Sequence, residues 1–136
     1  MPSEIRWRLH LASPPEAVWE LLATDDGRAR FWAEETRERD GEIEFRFPNG
    51  MSSQGRVLER EARRRLALEY LGNETTFSLE PDGERGTDLT LVSEGEPEVL
   101  AGWVSVLLAL KAACDFGVDL RNHDPQRTWW QGYCDN

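Results

Sequence analysis

The chain is poor in the residues that most chemistries require. Among 136 residues there are two histidines, His10 and His123, two cysteines, Cys114 and Cys134, and one lysine, Lys111. Neither the histidines nor the cysteines stand at metal-ligand spacing, and nothing in the pattern makes several carboxylates or histidines converge. A glycine-rich phosphate loop and a nucleophile elbow are also missing, so phosphoryl transfer and serine-type acyl transfer have no motif to rest on. No catalytic residue, metal ligand or cofactor is identified. Two cysteines do not make a disulfide framework, and Cys114 reads as a small core residue on the apolar face of a helix. Met1-Pro2-Ser3-Glu4-Ile5-Arg6-Trp7-Arg8 carries charge where a signal peptide needs an unbroken apolar stretch, and no window is expected to reach membrane-spanning length. A cytoplasmic protein without membrane insertion is the expectation.

Basic charge is scarce relative to acidic charge. The net charge is −10, and the fifteen arginines alternate with glutamates, as in Glu59-Arg60-Glu61-Ala62-Arg63-Arg64-Arg65. A polyanion would be repelled on average and would find no basic run longer than three residues, which argues against nucleic acid or an anionic bilayer as partner.

What is present is a mixture of apolar residues, 39% of the chain with 10% aromatic, at a length suited to one domain over residues 1–136. Ile5, Trp7, Leu9 and Leu11 alternate with Arg6, Arg8 and His10, the period of a strand with one buried face; it should run from about Glu4 to Ala12 and leave His10 outward. Ser13-Pro14-Pro15-Glu16 carries the elements of a capping box with proline at the first helical position, so a helix should begin there. Its stripe is Val18, Trp19, Leu21 and Leu22. Thr24-Asp25-Asp26-Gly27 breaks it before a second short helix bearing Phe31 and Trp32.

From residue 34 to 93 the pattern is strands separated by turn chemistry: Asp40-Gly41, Pro48-Asn49-Gly50, Gly72-Asn73 and Pro81-Asp82-Gly83. Connections this short join antiparallel neighbours. The strands should be Glu35–Arg39, Glu42–Phe47, Gln54–Glu61, Arg65–Leu71, Thr75–Glu80 and Thr87–Ser93. Glu96-Pro97 then opens a helix expected from Glu98 to about Arg121, roughly 36 Å long at about 1.5 Å per residue. Gly102 and Gly117 inside it should each cost about 1 kcal/mol against alanine unless close packing recovers it. Asn122-His123-Asp124-Pro125 should end the helix, with His123 in a capping or dipole role, and cap a further turn bearing Trp129, Trp130 and Tyr133.

Alternation assigns one sheet face to Ile43, Phe45, Phe47, Val57, Leu68, Tyr70, Phe77, Leu79, Leu89 and Leu91. Only the long helix is large enough to cover that face, so the fold class is α+β: a curved antiparallel sheet of about six or seven strands wrapped around a C-terminal helix, with two short helices after strand one. The Tyr70 hydroxyl is the one polar group on the inward list. Register is least certain around Gly55-Arg56-Val57-Leu58, which leaves Arg56 and Glu59 as possible pocket residues. Trp7, Trp19 and Trp103 read as core, and Trp32 belongs either to the core or to a pocket mouth. Trp129-Trp130 and the small-residue side of the helix, Ala101, Ser105, Ala109 and Ala112, are candidate contact surfaces for a homodimer.

The element order and several stretches resemble the START-like, helix-grip superfamily, and within it the branch named for the activator of the Hsp-ninety chaperone ATPase. Those stretches are Ala12-Ser13-Pro14-Pro15-Glu16-Ala17-Val18-Trp19, Ala29-Arg30-Phe31-Trp32, Gly55-Arg56-Val57-Leu58-Glu59, Phe77-Ser78-Leu79-Glu80, Gly86-Thr87-Asp88-Leu89-Thr90-Leu91 and Gly102-Trp103. The closing Asn122-His123-Asp124-Pro125 and Arg127-Thr128-Trp129 is similar to an ending in some bacterial members. The resemblance implies the fold and a space between sheet and helix that many relatives use for hydrophobic small molecules. It carries no shared catalytic motif, and 136 residues leave no room for the additional N-terminal domain of the eukaryotic co-chaperones.

Three functions remain open. The first is binding of a small hydrophobic or amphipathic molecule, with Trp32, Phe45, Phe47, Tyr70, Trp103 and Leu107 as lining and Tyr70 orienting the ligand. The second is a protein-interaction or chaperone-cofactor role, suggested by the family name and the Trp129-Trp130 tail. The third is a cyclase or hydrolase-type enzyme acting on a hydrophobic substrate, which would need Glu59, Arg56 or another titratable group inside the cavity.

Overall fold

Seven antiparallel strands form one sheet in the order β1-β7-β6-β5-β4-β3-β2. They are β1 Ser3–Leu11, β2 Glu35–Arg39, β3 Glu42–Arg46, β4 Ser52–Glu61, β5 Arg65–Tyr70, β6 Asn73–Pro81 and β7 Thr87–Gly95. Helices α1 Pro15–Ala23 and α2 Asp25–Arg28 follow β1, and α3 Pro97–Phe116 follows β7. The computed structural model describes residues 3–135; Met1 and Pro2, the start of the charged N-terminal stretch, lie outside them. This is the helix-grip arrangement that the alternating pattern predicts.

The meander forms because each pair of apolar-alternating strands is joined by a turn too short for a crossover. Inward residues at successive strands stand opposite one another: Leu66 faces Phe77, and Phe77 faces Leu91. Ile43, Phe45, Leu68, Phe77, Leu89 and Leu91 are all fully buried, and they meet Trp103, Leu107 and Leu110 of α3 in one continuous core.

Several expectations are corrected. The α1 capping box does not form: Pro14 is the N-cap without a side-chain bond, and Ser13 Oγ instead donates to Asp115 at 2.7 Å. A carboxylate brought in from a distant helix outcompetes the local cap. Helix α3 stops at Phe116 and not near Arg121, because Gly117 takes a left-handed φ of 64° and its N–H folds back on the Ala112 and Ala113 carbonyls. Trp7 is 37% exposed. It sits on an edge strand, where the sheet gives its ring the neighbour Leu91 on one side only.

Helix α3 also corrects the expectation about apolar windows. At 20 residues and a mean hydropathy of 1.7 it is long and apolar enough to cross a membrane by length and composition. A core helix of a folded domain meets the same criterion. The helix reaches that value because its outer side carries exposed Leu100 and Leu108 in addition to the buried inner stripe. Ala109 and Ala112, read as part of an outward small-residue side, are buried against the domain, and Ser105 donates to the Cys134 carbonyl.

Candidate functional site

Between the inner face of the sheet and the first half of α3 lies a cavity of about 300 Å³. Its walls come from five places. Trp32 enters from the loop after α2, Phe47 and Ser53 from the β3–β4 hairpin, Tyr70 and Leu71 from the end of β5, and Glu98, Val99, Gly102, Trp103 and Val106 from α3. Trp129 and Trp130 of the C-terminal tail complete it.

Trp32 is the hinge of the aromatic wall. Its ring centroid lies 4.7 Å from Phe45, 5.2 Å from Tyr70 and 5.6 Å from Trp103, mostly in edge-on or tilted geometry. Its backbone N–H donates to the Arg28 carbonyl at 2.8 Å, so α2 sets its position. Arg28 is in turn immobilised: its guanidinium is wholly buried and donates to Asp25 at 2.6 Å, to the Leu22 carbonyl at 3.1 Å and to Thr36 at 3.3 Å. Burial lowers the Arg28 pKa, while Asp25 and Glu38 hold the charged form.

Of the six residues singled out as lining, Trp32, Phe47, Tyr70 and Trp103 reach the cavity. Phe45 lies behind Trp32 with no exposed surface, and Leu107 is packed in the core further along α3. Ser53 was missed, although the alternation from Val57 back through Gly55 places it on the inward face opposite Phe45. Glu98 was missed because the first turn of a helix gives no facing signal from sequence.

The polar content of the site is small and specific. Burial pushes the Tyr70 hydroxyl above its ordinary pKa, against the opposing influence of the Ser53 and Trp32 side chains beside it. Those two groups bias Tyr70 without being aligned to it: Trp32 Nε1 and Ser53 Oγ are shielded from solvent and close no hydrogen bond. Arg56 and Glu59 are absent from the cavity. A bulge between Val57 and Glu59 shifts the register where it was least certain, yet Arg56 stays exposed and Glu59 pairs with Arg65 at 3.0 Å on the outside. Tyr70 and Glu98 are therefore the ionisable side chains among the described lining residues. Among those residues no three His, Cys, Asp or Glu gather as metal ligands.

The tail closes the site from outside. The 3₁₀ turn Trp129–Gln131 is capped reciprocally by Thr128 and Gln131, where Asn122-His123-Asp124-Pro125 had been expected to provide the cap. Thr128 is buried and accepts from Asn49 Nδ2 at 3.3 Å, which ties the tail to the β3–β4 hairpin. Trp130 packs edge-on to Phe47 at 5.4 Å. Further back, Arg121 donates to the Ala29 and Ala33 carbonyls at 2.7 and 2.6 Å. His123 neither caps nor complements α3. Its Nδ1 lies 2.6 Å from Glu34 and its Nε2 2.7 Å from Asp119, and these two carboxylates raise its pKa. The tail is thus strapped to the segment that carries Trp32.

Comparison with known proteins agrees with this architecture. No curated protein matches the sequence. Among solved structures, the solution structure of the Aha1 dimer from Colwellia psychrerythraea superimposes with a TM-score of 0.75 at 24% identity, covering 85% of this chain and 98% of that one. A crystal structure of a Staphylococcus saprophyticus protein gives 0.79 at 22% identity, covering 88% and 96%. One from Chromobacterium violaceum gives 0.66 at 27%, covering 82% and 96%. The sequence family described as Activator of Hsp90 ATPase homolog 1-like protein matches residues 12–113, and this chain belongs to that family.

Proposed function

We propose that this protein is a cytoplasmic container for a small, largely apolar molecule held between the sheet and α3. The observation that carries the reading is the cavity itself: about 300 Å³ bounded chiefly by aromatic rings, at the lower end of the volume usual for ligand pockets, with a few convergent polar groups. An aromatic-walled cleft of this size with a few convergent polar groups has the usual character of a small-molecule site. Native mass spectrometry of freshly purified protein, followed by titration with lipid and polyketide panels, tests it. A co-purifying or titratable ligand in one-to-one ratio is expected, and protein that neither carries nor takes up any compound would overturn the reading.

The other two functions each keep part of their motivation: the family match for a chaperone-cofactor role, and Glu98 in the cavity wall for an enzyme. Trp129 and Trp130, which suggested a chaperone contact, touch Gly102 and Phe47 of their own domain yet remain 36% and 48% exposed, so the tail still offers an apolar surface. Arg56 and Glu59, which an enzyme would have used, face solvent. Self-association is favoured by a different surface: Leu108, Phe116 and Leu120 are 50%, 71% and 53% exposed along the outer side of α3 and its continuation. A structural neighbour is described as a dimer. Light scattering across a concentration series reads the oligomeric state directly.

A further inference from the structure

We infer that the cavity selects an uncharged ligand bearing a hydrogen-bond acceptor at its buried end, a carbonyl or ether oxygen, and discriminates against carboxylates. The inference deepens the container reading and rests on it. Its basis is the trio Trp32, Ser53 and Tyr70, all lining the cavity, with Trp32 at 5% and Tyr70 at 8% exposure.

The trio has more donors than it can satisfy. An indole N–H donates only, whereas each hydroxyl donates once and also accepts. If the groups turned to bond one another, Trp32 would donate to one hydroxyl, that hydroxyl to the other, and the last hydroxyl proton would have no acceptor left. As placed, Trp32 Nε1 and Ser53 Oγ stand close enough to Tyr70 to oppose the rise in its pKa but close no hydrogen bond of normal geometry. Buried donors without partners are rare in folded proteins and call for an explanation. An acceptor on the ligand supplies one.

Charge decides which acceptor. No Arg, Lys or His lines the cavity, and its one carboxylate, Glu98, would repel an anion. A ligand carboxylate would be buried without a counter-ion, which costs more than three neutral donors return. Burial also raises the Tyr70 pKa, so the phenol stays protonated and available as a donor near neutral pH. A neutral carbonyl avoids the ionic cost and still collects the donors. The aromatic rings around it suit a flat, apolar body.

The test uses three naphthalenes of matched shape on the full chain: 2-acetylnaphthalene, 2-isopropenylnaphthalene and 2-naphthoate, titrated by calorimetry and by ¹H–¹⁵N correlation spectra. The ketone should bind about five- to tenfold more tightly than its hydrocarbon isostere, the span of one or two neutral hydrogen bonds. It should move the assigned Trp32 indole N–H resonance downfield, which the hydrocarbon should not, and naphthoate should bind more weakly than the ketone. Tyr70→Phe and Ser53→Ala, checked for folding by the same spectra, should bring the ketone-to-hydrocarbon ratio towards one. If ketone and hydrocarbon bind equally, if naphthoate binds tightest, or if the Trp32 resonance ignores the ketone, this inference falls and the container reading stands. If none of the three binds, this inference falls, and the container reading falls too only if native mass spectrometry and the lipid and polyketide panels also find no ligand.

Discussion

The Trp129 ring lies directly on the backbone of Gly102: a β-carbon placed there would stand 2.6 Å from its Cη2 and 2.8 Å from its Cζ3. Mid-helix glycine costs about 1 kcal/mol against alanine, so the position gives up intrinsic helix stability for a close approach of the tail. Gly102→Ala alone should therefore not stabilise, because overpacking against the indole costs about 1–3 kcal/mol and offsets the propensity gain. In a Trp129→Ala background the same change should stabilise by about 1 kcal/mol. Urea unfolding of the four proteins gives the cycle. Additivity would mean that the tail does not rest on Gly102.

His123 makes the strap pH-dependent. Its pKa is raised, first by Glu34 and then by Asp119, with burial and Arg121 opposing. A group whose folded pKa lies above its ordinary value of 6.5 contributes fully below that value, and the contribution is lost as pH rises through the folded pKa. Stability should therefore decline on the alkaline side of pH 6.5, and His123→Gln should abolish that decline while leaving the rest of the profile. The side chains are about two-fifths exposed, so salt should weaken the effect. A profile unchanged by His123→Gln would show that the ring carries no such linkage.

Asp115, in the last turn of α3, produces the opposite dependence. Its side chain is 2% exposed and accepts from Ala12 N at 2.9 Å, Ser13 N at 3.0 Å, Ser13 Oγ at 2.7 Å and Lys111 Nζ at 3.2 Å. Burial raises its pKa, but these bonds outweigh burial and the net shift is downward. A depressed folded pKa gives stability present above the ordinary 3.8 and lost as pH falls below it. Asp115→Asn, which turns a donor NH2 towards donors, should cost about 2 kcal/mol at neutral pH and flatten the acid limb of the unfolding curve. An acid limb as steep as in the parent would contradict this.

Sequence made legible whatever is periodic and local. Alternation placed Ile43, Phe45, Leu89 and Leu91 inward, and turn chemistry at Asp40-Gly41 and Gly72-Asn73 ordered the meander. The end of α3 was missed: Gly117 just past the terminus is a stop signal, but the apolar spacing beyond it extended the expected helix to about Arg121. What escaped were long-range polar pairings. Ser13 finds Asp115 across 102 positions and His123 finds Glu34 across 89, and no spacing rule reports a partner at that separation. Of the cavity, the aromatic wall was visible as alternation; Trp129 and Trp130 were rightly read as exposed, but their contacts with Gly102 and Phe47 were not visible because those partners lie on other elements.

Arg28 should be the costliest single charge to remove. Its guanidinium is fully buried and shared between Asp25 at 2.6 Å and Glu38 at 3.6 Å, and Glu38 also takes two bonds of 2.8 Å from Arg60. Without Arg28, Glu38 keeps Arg60 and the part-exposed Asp25 is rehydrated. The buried Leu22 carbonyl and Thr36 lose their donor, however, and a large side chain leaves a void, a loss of about 2–4 kcal/mol. Arg28→Ala should therefore lower the urea midpoint without changing its slope much. Arg28→Lys should recover only part of this, because an ammonium cannot reach the Leu22 carbonyl, Thr36 and Asp25 at once in the planar fork geometry. The local consequence follows through the backbone: Trp32 N–H and Ala33 N–H both donate to the Arg28 carbonyl, so loosening α2 should loosen the Trp32 indole that walls the cavity. Hydrogen exchange read at Trp32 and Ala33 should accelerate in Arg28→Lys well before the core strands respond. Uniform acceleration across the sheet would mean instead that Arg28 supports the whole domain and not this corner of it.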